Sequence, residues 1–516
     1  MRLLESWTER LNPILVKEVR QALRGRYFRV TYGLTLLAAT VVGILTLMSV
    51  DDPDRVGQVY FTGIYFCMAG AMLGLVPFQA FVAAGGGGRG SRAELLQLTA
   101  LRPRQIVAGR LMSSLAQSGL VLAALLPYLA LGFLLPGVDL FALFFIVVYT
   151  LIWSLAISSV TIAASFLTNN RLVRVLLMVV LGAFQFGFTS SAVGLAAELL
   201  DRSENLRDSE FLAVSGLFAA MGLSIGLFAF IGGTLRIAHP EENRSTPLRV
   251  FMLLFAFIGA LLSYLLTWFV RHPEPEFPLV GYLMLGFFML IPGGIFASEP
   301  ERLGRRVQVT APRNRTIALL AAPLMPGGGN GALFNTLVLA FFGLLPALFP
   351  AMDPDEGDAW GSLFLFAGLW GFAAFNLPTA ILQRWVENTW VRVVAVFSPI
   401  LFFIVTGLLP AMVGFVIGDR DLQDFEHPLF FPWAFERLTR SSQTYWEAIW
   451  AVAIALFVIT LAVNLPRMKR GVQAVLLVSK RRRELEAART DTKVQAPELP
   501  SESPIGEAVV KEDSGA

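Results

Sequence analysis

Cysteine occurs once in 516 residues, at Cys67 within an apolar run, which excludes a disulfide-stapled secreted scaffold. Charge is thin as well. Asp, Glu, Lys and Arg make up 15% of the chain, where soluble proteins carry about 25%. Histidine appears three times, at His239, His272 and His427, each in a different polar connection. What the chain has instead is apolar mass: 55% hydrophobic residues, including 42 Phe and 10 Trp. So little polar surface cannot cover that many aromatic side chains in a water-soluble core. The length of 516 would give three or four soluble domains at roughly 150 residues each, but composition overrides that count. The chain belongs in a lipid bilayer.

The sequence also lacks the parts of most catalytic sites. It has no HExxH, no CxxC, and no acid inside an apolar run to pair with another. Gly222-Leu-Ser-Ile-Gly226 has the GxSxG spacing, but in mid-run rather than on the strand-to-helix turn that exposes a nucleophilic Ser. Close helix packing is the role expected of it. A GxxxxGK[ST] phosphate cradle needs Lys after Gly, and none of Lys17, Lys469, Lys480, Lys493 and Lys511 follows one. The Gly85–Gly88 run therefore reads as a flexible exit from a span. Asp353–Asp358 reads as a solvated cap, and the 418–447 loop, with His427 and Trp433, as an outer loop with interfacial anchors. No catalytic, metal-binding or cofactor-binding residue is expected.

Twelve apolar runs approach or exceed the roughly 20 residues that cross a bilayer: 30–50, 60–84, 106–135, 140–168, 175–197, 211–235, 250–270, 278–297, 333–352, 360–382, 393–417 and 448–465. Placing the N-terminus inside puts 33 of the 41 Lys and Arg residues in inner connections and 7 in outer ones, with Arg110 in the third run. That asymmetry predicts both termini in the cytoplasm and an all-α polytopic fold. Net charge is +3, from basic residues scattered between spans, so it reports orientation rather than a nucleic-acid partner.

Three segments are expected at the membrane surface. Asn12-Pro13 opens an N-terminal amphipathic helix, with Leu15, Val19 and Leu23 on one face and Lys17, Arg20 and Arg24 on another. Val472–Val478, followed by Lys480-Arg-Arg-Arg483, reads as a helix on anionic lipid. Ile317–Met325 is too short to span and runs into Pro326-Gly-Gly-Gly-Asn-Gly331, a helix breaker, so it is placed in the interface. From about Thr492 the Pro, Ser and Glu content predicts disorder.

The richest segment lies between the second and third spans. Ser91 caps a short helix with Glu94 at capping-box spacing, and Leu95, Leu98 and Leu101 share roughly one face. Pro103 ends the unit and Ile106 opens the next span. Such an element docks a soluble partner or packs on the chain's own spans. Asn12-Pro-Ile-Leu-Val-Lys-Glu-Val-Arg, then a span pair, then Gly90-Ser-Arg-Ala-Glu-Leu-Leu-Gln-Leu-Thr99, resembles ABC-2-type ABC transporter permeases. Gly90, Ser91, Glu94, Leu95, Leu96, Thr99 and Leu101 match that family's pattern in character, and Gly109-Arg110 matches its Gly-Lys. Ala100 stands where the family usually has Pro, and Gly85–Gly88 with Arg89 replaces its acids.

The resemblance implies an interfacial connecting helix at the N-terminus and a coupling helix at 90–104 that seats on a separate ATP-binding subunit. It also implies a second permease chain in the complex. The expected divisions are 1–29 with the interfacial helix, a six-span core at 30–240, a second six-span region at 241–465, and a cytoplasmic basic helix and tail at 466–516. The function implied is a permease subunit of an ATP-driven exporter in the inner (plasma) membrane, with ATP hydrolysed on another chain. A membrane-embedded lipid or sugar transferase, or an ion-coupled carrier or channel, remain the alternatives.

Overall fold

The computed structural model describes residues 19–21, 23–49, 55–85, 102–167, 171–201, 208–238, 242–269, 293–301, 303–344, 354–382, 402 and 446–495. Among them every regular element is a helix. The long ones are α1 (Arg26–Ser49), α2 (residues 56–85), α3 (Pro103–Leu134), α4 (Leu140–Ser165), α5 (Arg171–Asp201), α6 (Ser209–Ile237) and α7 (Thr246–Phe269). After them come the short α8 (Arg305–Thr310) and α9 (Arg315–Ala321), then α10 (Gly328–Leu344), α11 (Pro354–Leu382) and α12 (Trp446–Gln495). Among the described residues eight helices are long and apolar enough to cross a membrane, or nine if α9 and α10 form one bent span. The expected run 393–417 lies outside the described residues except Phe402, and so does 278–297 except residues 293–297.

Each long helix contains an apolar run, because a backbone in hydrocarbon must satisfy its own polar groups. α2 is the centre of the first bundle: Tyr60, Phe61, Ile64, Met68 and Met72, at helical spacing, are all inaccessible or nearly so. α1 is peripheral, with Val30, Leu34, Leu37, Val41, Ile44 and Met48 forming an exposed stripe suited to lipid. Gly132 of α3 lets the Tyr60 ring approach, and Gly57 N–H donates to the Pro136 carbonyl at 3.2 Å, fixing the α3–α4 turn. α3 continues unbroken through Pro127. Gly222 and Gly226 bring α6 onto Trp153 and the Ala156 backbone of α4, and Ser159 donates to the Gly226 carbonyl at 2.6 Å. The GxSxG spacing serves packing.

A second core joins α10, α11 and α12 through Leu339, Phe366, Trp370, Phe372, Ile449 and Ala453. α7 meets α10 through Met252, Ala256, Phe334 and Val338, with Phe228 of α6 packed alongside.

Three boundaries differ from expectation. Pro103 begins α3 instead of closing the preceding unit, because proline's fixed φ and missing N–H suit a first helical position. The breaker at 326–331 is confined to its first two residues; Gly328–Gly331 form the first turn of α10. Finally, the last span and the basic surface helix are one 50-residue helix, α12, which runs through Pro466 and on to Gln495. Pro466 removes one hydrogen bond, while good helix formers on both sides carry the helix across it.

Candidate functional site

The residues expected to dock a partner, Ser91, Glu94, Leu95, Leu98, Thr99 and Leu101, lie outside the described residues, as do Leu15 and Lys17 of the expected interfacial helix. What is described is the frame on either side. Val19, Arg20, Leu23 and Arg24 are helical, with Val19 and Leu23 half-buried and the two arginines exposed; a bend at Gly25 separates them from α1.

On the other side of residues 86–101, Arg102 is the N-cap of α3: its N–H donates to Gln105 Oε1 at 3.0 Å, and Gln105 N–H donates back to the Arg102 carbonyl at 2.9 Å. This closed turn ties residue 102 firmly to the helix. One turn on, Ile106 and Val107 are buried against Ile162 and Ile237, with Ala80, Phe166 and Phe230 packed around them. The Arg110 guanidinium sits 5.3 Å from the Phe166 ring centroid. Arg236 donates through Nε to the Phe166 carbonyl at 3.1 Å, covering an orphan carbonyl at the end of α4. The ends of α2, α3, α4 and α6 therefore meet in one joint.

Behind the joint runs a hydroxyl seam. Ser114 donates to Ser158 at 2.8 Å, Ser118 and Ser154 share a bond of 3.0 Å, and Tyr65 and Thr150 share another of 3.0 Å. Residues Gly70–Leu75 of α2 form a π-helical turn, and Ser154 also donates to the Met72 carbonyl within it at 2.9 Å. Small hydroxyl side chains let helices approach closely in lipid, and each bond of this kind contributes about 0.6 kcal/mol.

A second polar centre surrounds the break between α9 and α10. Residues 315–324 are bent by 83° from residues 328–341. The last carbonyls of the first piece carry partial negative charge and the first N–H groups of the second carry partial positive charge. Arg249, fully buried, donates to the carbonyls of Pro323 (2.8 Å) and Met325 (2.5 Å). Glu299 accepts from the Gly327 N–H at 3.0 Å and from Ser245 at 2.6 Å. Arg249 and Glu299 then pair at 2.9 Å, and the guanidinium lies 5.0 Å from the Phe296 ring centroid. Gly327 has φ of +126°, a conformation that favours glycine.

From there a chain of amides crosses three helices. Asn335 donates to the Gly293 carbonyl and to Asn376 Oδ1, both at 2.9 Å. Asn464 donates to the Asn376 carbonyl at 3.5 Å and to the Thr460 carbonyl at 2.9 Å and accepts from Arg467 at 3.2 Å, while Arg467 also donates to the Ala297 carbonyl at 2.9 Å. Sequence reasoning missed this centre. Arg249 and Arg467 sit at the ends of apolar runs, where cations ordinarily flank a span, and Asn335, Asn376 and Asn464 carry no charge to interrupt an apolar run. The one signal was the glycine run, whose close contacts only appear in the fold. Among the described residues no three His, Cys, Asp or Glu side chains gather as metal ligands would.

Comparison of the chain with family models, with curated proteins and with solved structures gave no match.

Proposed function

We propose that this chain is the membrane-spanning permease subunit of an ATP-driven exporter of the ABC-2 type, worked by a separate ATPase that docks on the 90–104 segment. The complex contains two permease chains and two ATPase subunits in the inner membrane, and each permease chain has twelve spans and cytoplasmic termini. The observation that carries the reading is the joint at Ile106, Val107, Phe166 and Ile237, reached through the capped turn at Arg102. A displacement that reaches Arg102 moves α3, and through the shared contacts α2, α4 and α6. The resemblance of Gly90–Thr99 to the family's coupling helix and the 33-to-7 distribution of basic residues support the same assignment. Nucleotide closure shifts the permease only in so far as the ATPase binds its two states with different affinity.

The test is capture of the ATPase by the tagged, membrane-extracted chain. Glu94→Ala combined with Leu98→Arg should abolish co-purification of a Walker-type ATPase while leaving insertion and yield unchanged. Undiminished capture would reject the docking assignment.

A further inference from the structure

α8, α9 and the distal part of α12 form a shelf with a small core of its own, in which Val307, Ala311, Ala318 and Ala322 close on Val475. Ser479 donates to the Arg313 carbonyl at 3.0 Å and Arg482 donates to the Ala311 carbonyl, fastening the short helices to α12. Between residues 303 and 325 the chain has four arginines and no acid; between 466 and 486 it has seven Lys or Arg against two acids, Glu484 and Glu486, with Lys480 lying 3.8 Å from Glu484 at the exposed end. Glu301 at the shelf's edge is already shared by Arg467 (3.8 Å) and Arg470 (3.9 Å).

The same shelf exposes large apolar side chains. Leu320 is 79% exposed, and Ile317 and Leu319 on α9 and Leu477 on α12 are exposed with it. Water solvates the cations but not that apolar group, and hydrocarbon does the reverse. The boundary between headgroups and acyl chains satisfies both, as it does for amphipathic helices lying in the membrane plane. The bend agrees: with α10 along the bilayer normal, 83° places residues 315–324 nearly parallel to the surface.

We infer that this shelf binds anionic phospholipid headgroups of the leaflet it faces. Arg313, Arg315, Lys480, Arg481 and Arg483 meet the phosphates, while Ile317, Leu319 and Leu320 enter the acyl boundary. Nothing in this depends on the permease assignment or on which side of the membrane the shelf faces.

The full-length chain, released from nanodiscs of mixed phosphatidylcholine and phosphatidylglycerol and weighed intact by native mass spectrometry, should retain phosphatidylglycerol preferentially. Neutralising the five cations to Gln should weaken that preference at least tenfold, since each cation near an anionic surface contributes about a fivefold factor. Equal retention by the neutralised chain would overturn the inference. A second reading does not rely on that variant. A nitroxide on Leu320→Cys, with Cys67→Ala, should be relaxed more by oxygen than by a water-soluble nickel chelate in phosphatidylglycerol-containing vesicles. Dominance of the chelate would show that α9 meets water or a soluble partner, and would equally overturn it.

Discussion

Arg249 holds two opposed helix ends together, and its surroundings set the cost of losing it. Arg249→Met leaves Glu299 without its cation and the Pro323 and Met325 carbonyls without a donor. Removing one member of such a buried pair costs about 3–5 kcal/mol. The thermal midpoint of the detergent-solubilised chain should fall sharply, and less for Glu299→Gln, whose amide oxygen can still accept from the Gly327 N–H. An unchanged midpoint for Arg249→Met would remove the centre's structural role. Glycines make a paired comparison. A Cβ on Gly331 would overlap the Phe296 carbonyl oxygen, and one on Gly329 the Arg467 carbonyl oxygen, so neither clash can be relieved by a rotamer. Gly182 in α5 has nothing within 4 Å of that position. Gly331→Ala should therefore destabilise by about 1–3 kcal/mol through overpacking, whereas Gly182→Ala should be neutral or stabilising by up to roughly 1 kcal/mol. Equal midpoints for the two variants would contradict the packing described.

Elements were read from the sequence with uneven success, and the reason is physical. Apolar runs mark lipid-crossing helices because the hydrocarbon thickness fixes their length, so 30–50, 106–135 and 211–235 fall on α1, α3 and α6 to within a few residues. Hydropathy is blind to hydrogen bonding between spans. It gave no hint of the Asn335–Asn376–Asn464 chain, the π turn at Gly70–Leu75, or the Ser114–Ser158 and Ser118–Ser154 pairs. It also cannot tell that glycines next to a break start a helix where another backbone comes close, as Gly329 and Gly331 do. The seam between α3 and α4 is measurable by a double-mutant cycle. Ser118→Ala and Ser154→Ala should show a coupling of about 0.6 kcal/mol in unfolding free energy; strictly additive effects would mean the hydroxyls do not act as a pair. The joint has its own test. Two glycines inserted between Leu101 and Arg102 should preserve ATPase capture but remove the chain's influence on hydrolysis, because the rigid turn at Arg102 no longer follows the docking segment. Full influence in that variant would show that the push travels by another route.

At the scale of the whole molecule, two helical groups share one membrane-embedded body. One is arranged around α2; the other is knotted by charge and amides around the α9–α10 break. On the proposed function, the chain supplies levers and latches and the work comes from a partner. ATP hydrolysis in liposomes holding the chain alone, the captured ATPase alone, or both tests that division of labour most directly. The account predicts no hydrolysis by the chain alone and a rate for the pair that differs from the ATPase alone, a difference that vanishes with Glu94→Ala and Leu98→Arg. Hydrolysis by the solitary chain, or a pair no different from the ATPase by itself, would contradict it.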